Sequence, residues 1–162
     1  MRKALLVPLI ALMPIACGGG IYTPKPGTWQ FLEGAVQSDT CKLSPTPSEG
    51  NGSFTLALKT GGFTIDPGDA YDGFDCAQTG NDYTCPSRLR GEVDLASATG
   101  GVLQGTLKLN VAISGSFSSE VATAGTETGS IDCTGTGCAT AASTAKTTFP
   151  CSTTRAFTAT GP

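Results

Sequence analysis

The sequence predicts an all-β domain: an antiparallel meander of about eight to ten strands, closed as a barrel or folded as a sandwich and stapled by disulfides. Three observations predict it. From position 27 onward, apolar residues recur with a period of two rather than 3.6. Gly, Asn and Asp punctuate the alternating runs where tight turns would fall. Cys41, Cys76, Cys85, Cys133, Cys138 and Cys151 form an even set in a chain that contains no histidine.

Residues 18–26 read as a short tether, with glycines for freedom and prolines that oppose helix. Trp29 and Phe31 alternate with Thr28, Gln30 and Leu32 in a first strand, and Phe54, Leu56 and Leu58 alternate with Thr55, Ala57 and Lys59 in a second. Phe63 and Ile65 continue after the Gly61-Gly62 turn, and Val93 and Leu95 mark a shorter strand. Leu107, Leu109, Val111 and Ile113, alternating with Lys108, Asn110, Ala112 and Ser114, carry the strongest strand signal and should form the central part of the core. Phe117, Val121, Ile131 and Phe157 mark later strands. Residues 115–146 are rich in Thr, Ala, Gly and Ser, and their threonines favour extended backbone. Within them, residues 139–146 are alanine-rich, but their Thr and Ser content argues for a loop.

Six cysteines point to three disulfides, because no C-x-x-C pair and no histidine supports zinc. Cys76 and Cys85 flank the Gly80-Asn81 turn at distances that suit opposite strands of a hairpin. Cys41–Cys151 would join the ends of the domain if a barrel closes, and Cys133–Cys138 would then close a small Thr/Gly loop.

The first residues, MRKALLVPLIALMPIAC, combine Arg2 and Lys3 with a short apolar run and small residues before Cys17. These are the parts of a secretory signal, and the run is too short to span a bilayer. At Pro14-Ile15-Ala16-Cys17 the segment resembles the lipobox of bacterial lipoproteins, with Pro14 where that family usually has Leu. The resemblance implies removal of residues 1–16, acylation of Cys17 and attachment to a membrane of the cell envelope. Because Gly18 replaces the Asp that holds many such proteins at the inner membrane, it also implies the outer membrane. Cleavage after Ala16 without acylation, giving a secreted protein, is the alternative. The remainder, residues 27–162, suits one domain. Without residues 1–16 the chain keeps eight basic residues against 13 acidic ones, a net charge of −5, which disfavours nucleic acid as a partner.

Gly27-Thr28-Trp29 resembles the G-x-W start of lipocalin-like and avidin-like barrels. An ordinary core Trp at a strand start reads the same three residues equally simply.

Candidate chemistry is sparse. Asp66, Asp69, Asp72 and Asp75 recur at every third position of DPGDAYDGFD, either as a calcium set or as a solvated turn-rich acidic loop. Tyr71, Phe74 and Tyr83 lie near this loop and suit either the wall of a small pocket or the cap of a core. Ser38-Asp39-Thr40, Lys59-Thr60-Gly61 and Ser143-Thr144-Ala145-Lys146 match fragments of the penicillin-recognising enzyme motifs, but in the wrong order, and read as chance. The absence of histidine excludes His-based triads. The expectation is a non-catalytic envelope lipoprotein without a cofactor, whose β domain binds a partner protein or a small apolar ligand. The alternative is a surface hydrolase using the acidic loop.

Overall fold

The computed structural model describes residues 20–43 and 50–162. The signal segment and Cys17 lie outside the described residues. Eight strands run in chain order: β1 (Gly27–Asp39), β2 (Gly52–Lys59), β3 (Gly62–Asp66), β4 (Phe74–Thr79), β5 (Asp82–Asp94), β6 (Thr106–Ser119), β7 (Ala122–Thr134) and β8 (Cys151–Thr160). Each pairs antiparallel with its neighbours, and β1 pairs with β8, so the meander closes into a barrel. Two short helices interrupt it, α1 (Leu95–Ala98) between β5 and β6 and α2 (Cys138–Ala145) between β7 and β8.

The two ends of the barrel differ because their connections differ. Two-residue turns, Thr60-Gly61, Gly80-Asn81 and Glu120-Val121, join strands at one end. The longer connections β1–β2, β3–β4, β5–β6 and β7–β8 gather at the other. Strand lengths differ as well. β2, β3 and β4 have 8, 5 and 6 residues, whereas β5, β6 and β7 have 13, 14 and 13. The long strands therefore overtop the short ones at the end that carries the long loops.

The short-turn end is plugged. Trp29, Leu56, Phe63 and Phe117 are buried there, with Trp29 stacked near Phe54 and edge-on to Phe117 at a centroid separation of 6.0 Å. Phe63, Tyr83 and Phe117 form a mutual aromatic triangle with centroids 4.9 to 5.5 Å apart, the range in which ring quadrupoles attract. Gly115 faces Tyr83, and a Cβ there would lie 2.6 Å from the phenol oxygen, so this position admits the ring only as glycine. Residues 20–26, which composition marks as a tether, lie across the same end. The Tyr22 N–H donates to Asn81 Oδ1 at 2.7 Å, the Lys25 N–H to the Glu120 carbonyl at 2.9 Å, and the Trp29 indole N–H to the Lys25 carbonyl at 2.9 Å.

Four expectations need correction. Leu95 does not continue the strand of Val93 but opens α1, whose first N–H groups, those of Ala96 and Ser97, donate to the Asp94 carboxylate. Residues 138–145 form α2 rather than a loop. Its first residue is bound to Cys133, its alanines are the strongest helix formers, and Lys146 ends it in the left-handed conformation with its own N–H bonded back into the last turn. Val121 lies in a turn, not a strand. Of the run Leu107, Leu109, Val111 and Ile113, Val111 alone is fully buried, at 2 % exposure. Leu107 and Leu109 are only partly buried because this part of β6 rises past the short strands β2–β4, and Ile113 because it faces open space inside the barrel.

The cysteines form Cys41–Cys151, Cys76–Cys85 and Cys133–Cys138. Cys76–Cys85 crosses β4 and β5 inside the core, and Cys41–Cys151 ties the end of β1 to the start of β8. The sequence separations, 110 and 5 residues for Cys41–Cys151 and Cys133–Cys138, predict unequal effects. On loop-closure entropy, paired Cys→Ala replacement should cost about 5 kcal/mol for the first and about 2 kcal/mol for the second. Phe117→Ala in the plug should cost about 3–5 kcal/mol, whereas Leu109→Ala at the overhang should cost about 1–2 kcal/mol. Denaturant unfolding of the four variants checks both orderings; equal losses within either pair would contradict them.

Candidate functional site: a cavity in the open half of the barrel

Above the plug the barrel is not filled. A cavity of about 260 Å³ lies among Phe31, Phe54, Ile65, Phe74, Tyr83, Val111, Ile113 and Phe157, and it is bordered by Asp69, Arg90 and Glu127. Its walls are the inward parity of β1, β2, β3, β4, β5, β6, β7 and β8 at the level where the aromatic plug ends. An engineered apolar cavity of about 150 Å³ holds benzene, so this volume corresponds to about ten non-hydrogen atoms.

Arg90 reaches the cavity through a defect in the ladder. The β5–β6 register shifts twice, between Cys85 and Arg88 and again between Leu89 and Gly91, so the alternation set by Tyr83 and Cys85 does not carry through to Arg90. A bulge of this kind re-aims a side chain that simple alternation would send elsewhere. The Arg90 side chain is only 3 % exposed. Guanidinium stays charged at every ordinary pH, so burial at this level requires an anion. Asp69, on the β3–β4 loop, supplies it: Nη1 donates to Oδ1 at 3.1 Å and Nη2 donates to Oδ2. The rings of Phe74 and Tyr71 stand 5.3 and 5.9 Å from the guanidinium carbon, close enough for cation–π attraction.

A second set of charges is carried by the sheet itself. Glu127 on β7 and Arg155 on β8 are register partners, and Arg155 Nη1 lies 3.5 Å from Glu33 on β1. Both members of the Arg155–Glu33 pair are at least 86 % buried. The open half of the barrel thus combines an aromatic floor with opposed charges on its wall.

The four aspartates of the acidic loop are not brought together. Asp66 accepts from the Gly68 N–H at 2.8 Å, Asp69 binds Arg90, and Asp75 on β4 pairs with Lys59. These three carboxylates are each drawn to a different donor, and among the described residues no group of three or more potential metal ligands forms. The calcium arrangement of Asp66, Asp69, Asp72 and Asp75 therefore does not assemble. Phe74 and Tyr83 do wall the cavity, and Tyr71 covers Arg90. The penicillin-enzyme fragments separate as well: Lys59-Thr60-Gly61 lies at the plugged end, while Ser38 and α2 lie at the other.

Arg90 and Glu127 are the site residues that sequence reasoning missed. Glu127 shares the inward parity of Thr123 and sits where an apolar residue would reveal a strand face. Arg90 had no periodic signal at all, since its direction depends on the bulge. No known protein family matches this chain, and no curated protein or solved structure matches it either.

Tyr83 offers a direct probe of the cavity floor. Burial pushes its phenol up to about 12, with a smaller opposing effect from the Thr123 hydroxyl, 3.0 Å away. The folded state therefore holds its proton longer than an unfolded chain, whose phenol titrates near 10. Stability owed to this group is intact below about pH 10 and is lost as the pH rises toward about 12. Absorbance titration should show a phenolate step near pH 12 that Tyr83→Phe removes. Persistence of that step in the variant would place the buried phenol elsewhere.

Proposed function

We propose that the protein is a non-catalytic lipoprotein of the cell envelope whose barrel holds a small, mainly apolar ligand. The observation that carries this reading is the unfilled, aromatic-walled cavity at the open end of a barrel whose other end is plugged. A domain made only to present its outer surface gains stability by filling its interior, since unfilled volume forfeits dispersion contacts. Concave, mostly apolar sites with a few convergent polar groups are the usual form of small-molecule sites. Attachment through Cys17 is supported by the lipobox-like Pro14-Ile15-Ala16-Cys17, and two or more acyl chains give the stable anchoring that one chain does not. Three disulfides suit an oxidising compartment outside the cytoplasm.

Titration calorimetry with 4-phenylbutanol tests the cavity. A neutral probe of about 11 non-hydrogen atoms should bind with Kd between about 1 μM and 1 mM. Ile113→Trp, which fills the space from β6, should weaken binding at least about tenfold while the protein remains folded by circular dichroism. Absence of binding to the wild type would leave partner-protein recognition as the better reading. For the anchor, labelling with a radioactive fatty acid should mark the wild type and not Cys17→Ser, which should leave the membrane fraction. An unlabelled wild type would instead support a secreted protein.

A further inference from the structure

We propose that Asp69 is a built-in occupant of an anion site, and that the ligand is an apolar or aromatic carboxylate whose acid group replaces Asp69 on Arg90. This inference rests on the cavity reading above and names the ligand class for it.

The two halves of the Arg90–Asp69 pair are held very differently. Arg90 belongs to the sheet; its guanidinium is 3 % exposed, flanked by Phe74 and Tyr71, and borders the cavity. Asp69 belongs to the loop between β3 and β4, is 39 % exposed, and among the described residues otherwise accepts a local bond from the Tyr71 N–H at 2.9 Å. The cation is therefore fixed while its anion reaches in from outside. A guanidinium fork takes a carboxylate through two parallel hydrogen bonds, and both terminal nitrogens of Arg90 are used in this way by Asp69. Another carboxylate can take the same two bonds without changing the charge of the buried site. Asp69 meanwhile has only a short way to go to water, where its desolvation is relieved. Such an exchange leaves the polar contacts matched, so the apolar part of the ligand, entering the space among Phe31, Phe74 and Phe157, decides the affinity.

The third charge on the cavity wall argues for an acid rather than an amine. Glu127 is held by β7 opposite Arg155 of β8, and Arg155 also approaches Glu33, so all three of these charges are carried by strands that the sheet keeps in place. Of the three charged residues bordering the cavity, Asp69 alone is carried by a loop.

Calorimetry on the full protein with 4-phenylbutyrate, 4-phenylbutanol and 4-phenylbutylamine tests this. Asp69→Ala should bind 4-phenylbutyrate at least about tenfold more tightly than the wild type, because its internal competitor is gone, with 4-phenylbutanol changed less than about threefold. Asp69→Asn should shift in the same direction. Arg90→Gln, checked for folding by circular dichroism, should lose the preference for acid over alcohol. If Asp69→Ala and Asp69→Asn leave 4-phenylbutyrate unchanged or weaken it while 4-phenylbutanol still binds, Asp69 only braces the loop; the proposal fails and the cavity reading stands. Preference for 4-phenylbutylamine in the wild type and both Asp69 variants overturns it in favour of a cation site. If none of the three probes binds the wild type or Asp69→Ala, both readings fail.

Discussion

Strand β1 pairs with β8 from Gln30↔Thr160 to Asp39↔Thr153, and this seam turns a meander into a closed wall. Without it the same strands would form an open sheet with two unpaired edges, a template for association with other chains. With it, the aromatic side chains of both strands converge: Phe31 of β1 meets Phe157 of β8 at 5.2 Å between centroids. The seam is also irregular, as the β5–β6 ladder is, with register shifts between Glu33 and Val36 and between Val36 and Ser38. Cys41–Cys151 lies just beyond these irregularities and covalently holds the strand ends that the backbone pairs less evenly. At the other end the Gly161 N–H donates to the Val121 carbonyl at 2.8 Å, which ties the last residues to the β6–β7 turn.

Closure creates an interior, and unequal strand lengths divide it. Where all eight strands are present, the ring is narrow enough for Trp29, Phe63 and Phe117 to fill it. Toward the mouth, near the ends of β2–β4, Phe31, Phe54, Phe74 and Phe157 line the wall rather than fill the ring, and the space goes to the cavity. The charged groups sit at this same level because a wall partly open to water tolerates them at lower cost than a dry core would. The packed core and the open space thus occupy successive layers of one barrel.

Much of this architecture is legible in the sequence. Alternation at Trp29 and Phe31, at Phe54 and Leu56, and at Phe63 and Ile65 marks strands because a half-buried antiparallel sheet has no other pattern. Of the cysteine pairs, Cys76–Cys85 is legible from the hairpin turn between them, whereas Cys41–Cys151 follows only once the ring is known to close. The site is less so. Phe74, Tyr83 and Asp69 stand out through their neighbours in the acidic loop, but their use depends on tertiary placement. Leu109 shows the limit of periodicity: it identifies the face of a strand, whereas depth depends on what stands across the barrel. Arg90 shows a further limit, since register shifts break the parity on which such reasoning relies. The helix α2 was concealed by propensity averages that take no account of the disulfide at its first turn.

The bonds from Gly20, Tyr22 and Lys25 to the Asn81 and Glu120 turns fix the route of the chain before the first strand. Gly20 itself lies at the plugged end, and Cys17 is three residues before it in the sequence. A bilayer holding that cysteine would meet the base of the barrel, with the mouth pointing the opposite way into the aqueous phase. The cavity would then exchange its contents with solution rather than with the lipid beneath, and its traffic would be in molecules soluble enough to arrive through water.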